Sequence, residues 1–371
     1  MKIAVLTNAY PSKTHGGAPH QMVQGGAGRI AFAYVKSLEG LGHEVKIWGP
    51  DPKFYLLLKW PASIRLIFHL LDLRPRRKIV NDIVAWKPDV LMTHNLTGCG
   101  FGTPRRVKVS GARWLHVLHD VQLFEPSGQI IHGEKHAWLR RMWRSGWSLL
   151  RKHALGRPDV VISPTKWLLD QHVSHGFFIA TQKAILSNPV EFSAASDASE
   201  RDARKIIYVG RLDADKGIDL LMSVWPRLRE AASGLVLAGG GSRLEYLKGL
   251  KDEKLQVRGA LPHDQVTELM RRGGVLALPS LVMENQPTVI LEALAAGCKV
   301  VAANVGGVRE TLGLTGWIFK PGDTQSLFEA LLQALQSGDN PLRESARMEV
   351  LKLHDPKVFA AGLAGLLKSN L

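Results

Sequence analysis

Short apolar runs alternate along the chain with longer segments in which apolar residues recur every three to four positions. Runs such as 2–7, 88–95 and 205–210 have the length of buried strands, and the segments between them have the helical period. Strands alternating with helices are typical of parallel sheets that are covered by helices. The pattern restarts after a polar, acid-bearing linker at 193–202. We therefore predict an α/β fold with two sheets in series.

A glycine-rich stretch separates the first predicted strand from the first predicted helix. It includes Gly16-Gly17 and Gly25-Gly26-Ala27-Gly28, and a second strand follows the helix at 43–48. This order is typical of the first unit of a nucleotide-binding sheet. Glycine lets a ligand approach the backbone closely, but a strand-to-helix turn also needs glycine for steric reasons alone. Both interpretations stay open on this stretch.

Two carboxylates, Glu284 and Glu292, lie within the stretch PSLVMENQPTVILEALAAG at 279–297. A strand should end near Leu278, a loop should carry Glu284, and a helix should start near Pro287. The N–H groups of Thr288 and Val289 would then form an anion site at the helix N-terminus. The alternative is an ordinary buried strand–helix unit with two solvated glutamates.

Other candidate side chains follow predicted strands. Arg211 and Lys216 flank one turn after the strand at 205–210, and two cations held there would suit a diphosphate. His119 and Asp120 end the strand that begins at Ala112, where a parallel strand meets an active-site cleft. His119 could bond a substrate hydroxyl or simply cap the strand.

The charge balance calls for an anionic partner. Lys and Arg number 48 against 33 Asp and Glu, a formal net charge of +15, which nucleic acid, an anionic membrane surface or a phosphorylated substrate would fit. The two cysteines, Cys99 and Cys298, are far apart, which indicates a reducing compartment and argues against a disulfide framework or a zinc site. The N-terminal apolar run is too short for a signal peptide or a membrane span.

Two basic segments in the first half, Lys53–Lys78 and Lys135–Arg157, suggest which anion is involved. If the second segment is helical, Leu139, Trp143, Trp147 and Leu150 share one face, and Arg140, Arg144 and Arg151 share a neighbouring one. Arginines beside a tryptophan face suit a helix that lies on anionic lipid. The alternative is a core-facing helix with a solvated basic edge. No recognised nucleic-acid module is present, so we expect no nucleic-acid partner.

Several motifs together are more specific than any one of them. They are GGAGRIAFAYVKSLEGLGHEV at 25–45, VGRLDADKG at 209–217, the triple glycine at 239–241, ENQPTVILEALAAG at 284–297 and NVGGVRE at 304–310. In this order they resemble the retaining glycosyltransferases of the family-4 type, and the resemblance covers nearly the whole chain. It implies the GT-B fold, in which two Rossmann-like domains face each other across a cleft.

The resemblance also implies a domain organisation. We place an acceptor-side domain at 1–188 and a nucleotide-sugar-binding domain at 189–345. A C-terminal helical segment at 346–371 would return to the first domain.

The resemblance implies a role for each candidate residue. Catalysis would depend on Glu284, which would bond hydroxyls of the donor sugar, on His119, which would reach the sugar near its reacting centre, and on Arg211 and Lys216, which would neutralise the diphosphate. Glu292 would hold the ribose, and the backbone around Arg258 would frame the base. The remaining donor-binding positions are Gly25, Gly26, Gly239, Asn285, Gln286, Pro287, Thr288 and Val289. No metal and no cofactor is required, because Arg and Lys can neutralise the leaving group of a UDP-, GDP- or ADP-sugar.

Two departures from the family pattern concern the donor. The first loop has the extra Gly16-Gly17 pair. Asn285-Gln286 stands where Gly and an aromatic residue are commoner, on the loop that would face the hexose.

The expected function is transfer of a hexose-type sugar to a lipid-linked or membrane-proximal glycan acceptor in bacterial envelope polysaccharide assembly. The protein would be cytoplasmic and peripheral on the inner face of the membrane. Two alternatives are a sugar-nucleotide epimerase or phosphorylase of the same fold, and a non-catalytic membrane-associated scaffold. The oligomeric state is not predicted.

Overall fold

The computed structural model describes residues 1–8, 25–50, 68, 70–134, 138–191, 201–338 and 341–368. They form two units, each built on a six-stranded sheet whose strands all pair in parallel. The predicted α/β class and the two sheets in series are confirmed.

The N-terminal unit has the strand order β2-β1-β3-β4-β5-β6. Its strands are β1 (Lys2–Leu6), β2 (Glu44–Trp48), β3 (Val90–Thr93), β4 (Arg113–Val117), β5 (Val160–Ser163) and β6 (Gln182–Ile185). Its helices are α1 (Gly25–Gly40), α2 (Arg77–Trp86), α3 (Thr103–Lys108), α4 (Trp138–Leu155) and α5 (Lys166–Ser174). The central strands β1, β3 and β5 are almost entirely apolar and buried, as expected of a parallel sheet covered on both faces.

The C-terminal unit has the strand order β12-β11-β10-β7-β8-β9. Its strands are β7 (Lys205–Val209), β8 (Gly234–Ala238), β9 (Leu255–Gly259), β10 (Val275–Leu278), β11 (Lys299–Ala303) and β12 (Trp317–Phe319). Its helices are α6 (Ile218–Leu228), α7 (Leu244–Lys248), α8 (His263–Arg272), α9 (Thr288–Ala295), α10 (Val308–Leu312), α11 (Thr324–Gln336) and α12 (Pro341–Leu353). The last helix of the chain is α13 (Pro356–Lys368).

The division between the units differs from the predicted boundaries in three places, and at the crossing the difference is one residue. The chain passes from the first unit to the second between Pro189 and Val190, and it returns at Phe359. Residues 346–358, predicted to lie with the returning segment, belong to the C-terminal unit, because α12 packs against α9 and Arg347 Nε donates to the Ala295 carbonyl. Ile130–Glu134 also belongs to the C-terminal unit, although it lies between β4 and α4 in the chain.

The helix α4 faces the core with residues that the sequence pattern assigned to a membrane surface. Trp147 is 2% exposed and Arg151 is 1% exposed, so this part of the predicted interfacial face is wrong. The Arg151 guanidinium lies over the rings of Phe101 and Trp147, at 4.5 and 4.6 Å from their centroids. Burying the guanidinium between two aromatic faces gives it favourable cation–π contacts. Arg144 pairs with Glu125.

Positions 53–67 and 69 of the other basic segment, Lys53–Lys78, lie outside the described residues. Its one acid, Asp72, is buried and accepts hydrogen bonds from the backbone of Gly98 and Gly100 and from Arg76. Both cysteines are buried and free. In the part of the chain that is described, no helix is both long and apolar enough to span a bilayer.

Candidate functional site

The loops after β7 and β10 meet at the carboxyl edge of the C-terminal sheet. These strands are neighbours, yet the chain leaves β7 towards β8 on one side and reaches β10 on the other. Such a reversal of strand order forms a crevice in which α/β sheets bind ligands. The two loops are joined directly, because the Leu281 N–H donates to the Asp215 carbonyl at 2.9 Å.

Lys216 and Glu284 form an ion pair across this crevice. Lys216 Nζ lies 2.7 Å from Glu284 Oε1, and the side chains are 20% and 16% exposed. Ser280 Oγ donates to the same carboxylate oxygen at 2.8 Å. One oxygen of Glu284 therefore accepts from two donors, which hold the carboxylate at the carboxyl edge of the sheet.

Arg211 is engaged by two carboxylates in its own turn. Its guanidinium pairs with Asp213 and, at 2.8 Å, with Asp215. Asp213 also accepts from the backbone and hydroxyl of Ser242, at 2.7 and 2.8 Å. These hydrogen bonds, led by the backbone N–H of Ser242, lower the pKa of Asp213 below its ordinary value. The Arg211 turn is thus fixed to the end of the triple-glycine loop.

Glycine is required where these loops touch. A Cβ at Gly217 would lie 1.8 Å from the Pro279 carbonyl oxygen, and one at Gly239 would lie 1.7 Å from that of Gly210. Real side chains do not tolerate such distances. In this unit, Gly217 and Gly239 of the family motifs are therefore required because no larger residue fits at either position.

Gly306 and Gly307 contact the backbone carbonyl of Glu284. The Gly307 N–H donates to the Glu284 carbonyl at 2.7 Å, and a Cβ at Gly306 would lie 2.1 Å from that carbonyl oxygen. The segment NVGGVRE therefore packs closely against the loop that carries Glu284.

A short segment from the first half of the sequence pairs with the same loop. Ile131 forms an antiparallel bridge with Val282, the Met283 N–H donates to the Ile130 carbonyl, and the His132 N–H donates to the Leu281 carbonyl. The loop that leads to Glu284 is thus contacted by three separate segments, at Asp215, at Gly306-Gly307 and at 130–132.

The turn from Glu284 to α9 places the remaining predicted residues. Pro287 has an extended backbone and precedes the helix, which begins at Thr288 rather than at the proline. Gln286 is buried, Asn285 and Val289 are partly buried, and Glu292 lies one turn into α9. The structure thus brings Lys216, Glu284 and this turn together. Arg258, at the end of β9, is exposed and bonds Gln256 at 3.1 Å.

The N-terminal unit has its own polar crevice at the ends of β3 and β4. His119 Nε2 lies 2.7 Å from His94 Nδ1. Asn95 donates to Asp120 at 2.9 Å, and Thr97 donates to Gln122 at 2.7 Å. Desolvation lowers the pKa of His119 to about 4, so its ring is neutral at neutral pH.

The glycine loop is described only at its end. Gly25 opens α1, and a Cβ at Gly26 would have no atom within 4 Å. Residues 9–24, including the Gly16-Gly17 pair, lie outside the described residues. Among the residues that are described, no group of three or more His, Cys, Asp and Glu side chains could hold a metal ion.

Sequence reasoning missed four supports of the site, namely Ser280, the Gly306 contact, His94 and the Ile130–Glu134 segment. Ser280 stands in the motif stretch, but nothing in its spacing singles it out. His94 is the next-to-last residue of the predicted strand at 88–95, just as His119 is the next-to-last residue of the predicted strand that ends at Asp120. The pairing of Ile130–Glu134 with a loop 150 residues away has no local signal.

The protein has two α/β units, each with a parallel sheet, and loops at the carboxyl edge of the second sheet carry cations and carboxylates. This combination is that of the GT-B glycosyltransferase class. Residues 24–193 match the sequence model of Glycosyltransferase Family 4, and residues 203–337 match that of Glycosyl transferases group 1. TuaC of Bacillus subtilis, a glycosyltransferase assigned to teichuronic acid biosynthesis, is 32% identical over 371 aligned positions, which cover 89% of this chain and 88% of TuaC. The chain belongs to the family-4-type glycosyltransferases.

Solved structures agree on the fold. The sucrose-phosphate synthase of Thermosynechococcus elongatus superposes with a TM-score of 0.73 at 19% identity, over 99% of this chain and 98% of that one. Anabaena HepE in complex with UDP-glucose superposes with a TM-score of 0.69 at 17% identity, over the whole of both chains. The GT-B fold expected from the sequence is confirmed.

Proposed function

We propose that the protein is a retaining glycosyltransferase that moves a hexose-type sugar from a nucleoside-diphosphate sugar to a lipid-linked or membrane-proximal glycan. The observation that carries this proposal is the Lys216–Glu284 pair, held by Ser280 where the strand order reverses. A cation and a carboxylate at one point suit a ligand that has both a diphosphate and sugar hydroxyls.

The donor would be held by groups at the carboxyl ends of four strands of the C-terminal unit, β7, β8, β9 and β10. Lys216 and Arg211 neutralise the diphosphate, and the N–H groups at the start of α9 add to the positive potential. Glu284 accepts hydrogen bonds from the hexose and Glu292 from the ribose. The Gly239 loop and the backbone around Arg258 frame the nucleotide, and Asn285-Gln286 selects the sugar.

Charge development explains why the cations matter for the rate. The bond between the sugar C1 and the diphosphate oxygen breaks, and its electron pair leaves with the diphosphate. The acceptor oxygen forms the new bond to C1 on the same face, and its proton passes to the departing phosphate. Fixed cations stabilise the charge that builds on the leaving group. No protein general base is needed, because the departing phosphate takes the acceptor proton.

The roles proposed for the N-terminal unit are acceptor binding and three contributions to donor binding. His119 bonds the donor sugar near C1, and Gly25 and Gly26 let the backbone approach the donor phosphate. The UDP-glucose bound to HepE supports a nucleotide-sugar donor, and the name of TuaC supports an acceptor in an envelope polysaccharide.

A ligand screen tests the donor proposal. At 100 times its dissociation constant, a nucleotide sugar that binds only the folded protein adds about 2.7 kcal/mol to the free energy of unfolding. We expect one of the UDP-, GDP- or ADP-sugars to raise the melting temperature, and the same sugar to be transferred in the presence of lipid-linked acceptors. Absence of stabilisation by every nucleotide sugar would contradict the proposal.

We further propose that the N-terminal unit contacts an anionic membrane at the cytoplasmic face. Met142 and Leu149 are seven positions apart on α4 and are 63% and 66% exposed, and the adjacent Leu150 is 47% exposed. The helix α3, whose Arg105 and Arg106 are exposed, contacts α4 on one side and α2 on the other. Exposed apolar side chains on one helix and exposed arginines on a helix that contacts it suit the interface of an anionic bilayer.

Exchanging the apolar face for a polar one tests this surface. In Met142→Ser/Leu149→Ser we expect binding to phosphatidylglycerol-containing vesicles to fall about 10²–10⁴-fold, since two apolar side chains are exchanged and each contributes about 1.5–3 kcal/mol when buried. Leu314→Ser is the matched control, because Leu314 is 99% exposed in the other unit. Vesicle flotation measures both variants. Equal binding of the wild type to neutral and anionic vesicles would remove the electrostatic part of the proposal.

A further inference from the structure

His94 lies where the strand order of the N-terminal sheet reverses. It follows β3 directly, and β3 pairs with β1 on the side opposite β2. The His94 N–H continues the ladder by donating to the Leu6 carbonyl at 3.0 Å. A side chain at this point stands at the ligand-binding crevice of an α/β sheet.

The contact between His94 and His119 is part of a regular array. Three side-chain pairs join the segment after β3 to the segment after β4, and the two members of each pair are 25 residues apart in the chain: His94–His119, Asn95–Asp120 and Thr97–Gln122. The two imidazole rings are 5.0 Å apart between centroids and tilted by 33°. The array fixes where both rings lie.

The His94 ring is itself immobilised. It is 1% exposed, and the Tyr34 ring packs edge-on against it at 5.2 Å between centroids. Its outer nitrogen, Nε2, is buried without a hydrogen-bond partner, and His94 lines a cavity of about 20 Å³ together with Asp120 and Gln122. That volume has room for one water molecule, which can donate to Nε2 or accept from it.

Both rings are neutral at physiological pH. Burial, followed by repulsion from His119 and His116, keeps the pKa of His94 well below its ordinary value, and desolvation does the same for His119. Two neutral imidazoles in contact share one N–H, so either His94 donates to His119 or the reverse. In the first arrangement His119 carries its proton on Nδ1, and in the second it carries the proton on Nε2. The tautomer of His119 is therefore coupled to that of His94 through this contact.

We propose that His94 is a positioning residue that fixes the ring orientation and the tautomer of His119, so that His119 meets the donor sugar in one hydrogen-bonding role. This inference rests on the proposed function for the sugar contact of His119. Outer partners that orient a functional histidine change activity by about 10–100-fold when they are removed in metal sites. We expect an effect of that order here.

The test compares two replacements of nearly equal shape. His94→Asn places an amide where Nδ1 stood and can still bond His119, whereas His94→Leu cannot. We expect His94→Leu to lower kcat about 10–100-fold with a much smaller change in the donor KM, and His94→Asn to retain most of the wild-type kcat. Equal losses of kcat in the two variants would overturn the inference.

A spectroscopic measurement separates this inference from the proposed function. In histidine-labelled wild-type protein, ¹⁵N spectra should show one tautomer for His119 and a nitrogen–nitrogen coupling across the contact with His94. In His94→Leu the His119 tautomers should mix. The spectra decide even if no sugar is transferred, an outcome that would count against the proposed function alone. A missing coupling in the wild type, or an unchanged His119 tautomer in His94→Leu, would refute the role of His94.

Discussion

Lys216→Met is expected to lower kcat for sugar transfer by about 10²–10³, because a fixed cation at the leaving group stabilises the additional charge that develops there in the transition state. The ammonium lies 2.7 Å from Glu284 and is mostly shielded from solvent. Its removal also leaves that carboxylate with one donor fewer. We therefore expect a loss of about 1–3 kcal/mol in the free energy of unfolding.

The matched control is Lys248→Met in the same unit. Lys248 pairs with Glu245 at 3.1 Å, but these side chains are 47% and 82% exposed. Exposed pairs contribute about 0–1 kcal/mol, so both kcat and stability should stay near the wild-type values. Steady-state kinetics and urea unfolding measure the two variants. Similar kcat values for Lys216→Met and Lys248→Met would refute the role of Lys216.

The partner of Lys216 can be tested in the same experiment. Glu284→Gln preserves shape and the contact with Ser280 while removing the charge. If Lys216 and Glu284 act on the donor as a unit, the loss in the double variant should be smaller than the sum of the single losses. Coupling energies between residues in contact are about 0.5–3 kcal/mol. Strict additivity would show that the two side chains act independently.

Sequence patterns predicted the fold because local information decided it. Short apolar runs such as that of β10 and periodic segments such as that of α9 specify buried strands and amphipathic helices. Strand order and the return of the chain were less accessible. Residues 346–358 and Ile130–Glu134 are assigned to the C-terminal unit by contacts with distant segments, and no local period encodes such contacts.

Some features of the candidate site could also be predicted from the sequence, and others could not. Arg211, Lys216 and Glu284 were predicted because charged residues after buried strands stand out in a sequence. The prediction that Trp147 and Arg151 lie on a membrane-facing surface was wrong, because both side chains are buried. Helical spacing shows which residues share a face but not whether that face contacts protein or solvent. The acids that engage Arg211 were visible in the sequence. Only the folded geometry joins them to the guanidinium.

Gly306 gives the second large expected effect. An added Cβ would lie 2.1 Å from the Glu284 carbonyl oxygen, so Gly306→Ala must displace the loop that carries this carboxylate. A displacement of about 1 Å in such a group can cost about 10²-fold in rate. We expect kcat to fall by that order while the sheet itself persists.

Gly313→Ala isolates the steric part of this effect. Gly306 and Gly313 have φ of 58° and 60°, so an alanine at either position incurs backbone strain of about 1–3 kcal/mol. Only Gly306 faces neighbouring atoms, since nothing lies within 4 Å of a Cβ at Gly313. Both variants should therefore lose stability in urea, whereas only Gly306→Ala should lose kcat. A comparable loss of kcat in Gly313→Ala would mean that general destabilisation, and not the position of Glu284, limits the rate.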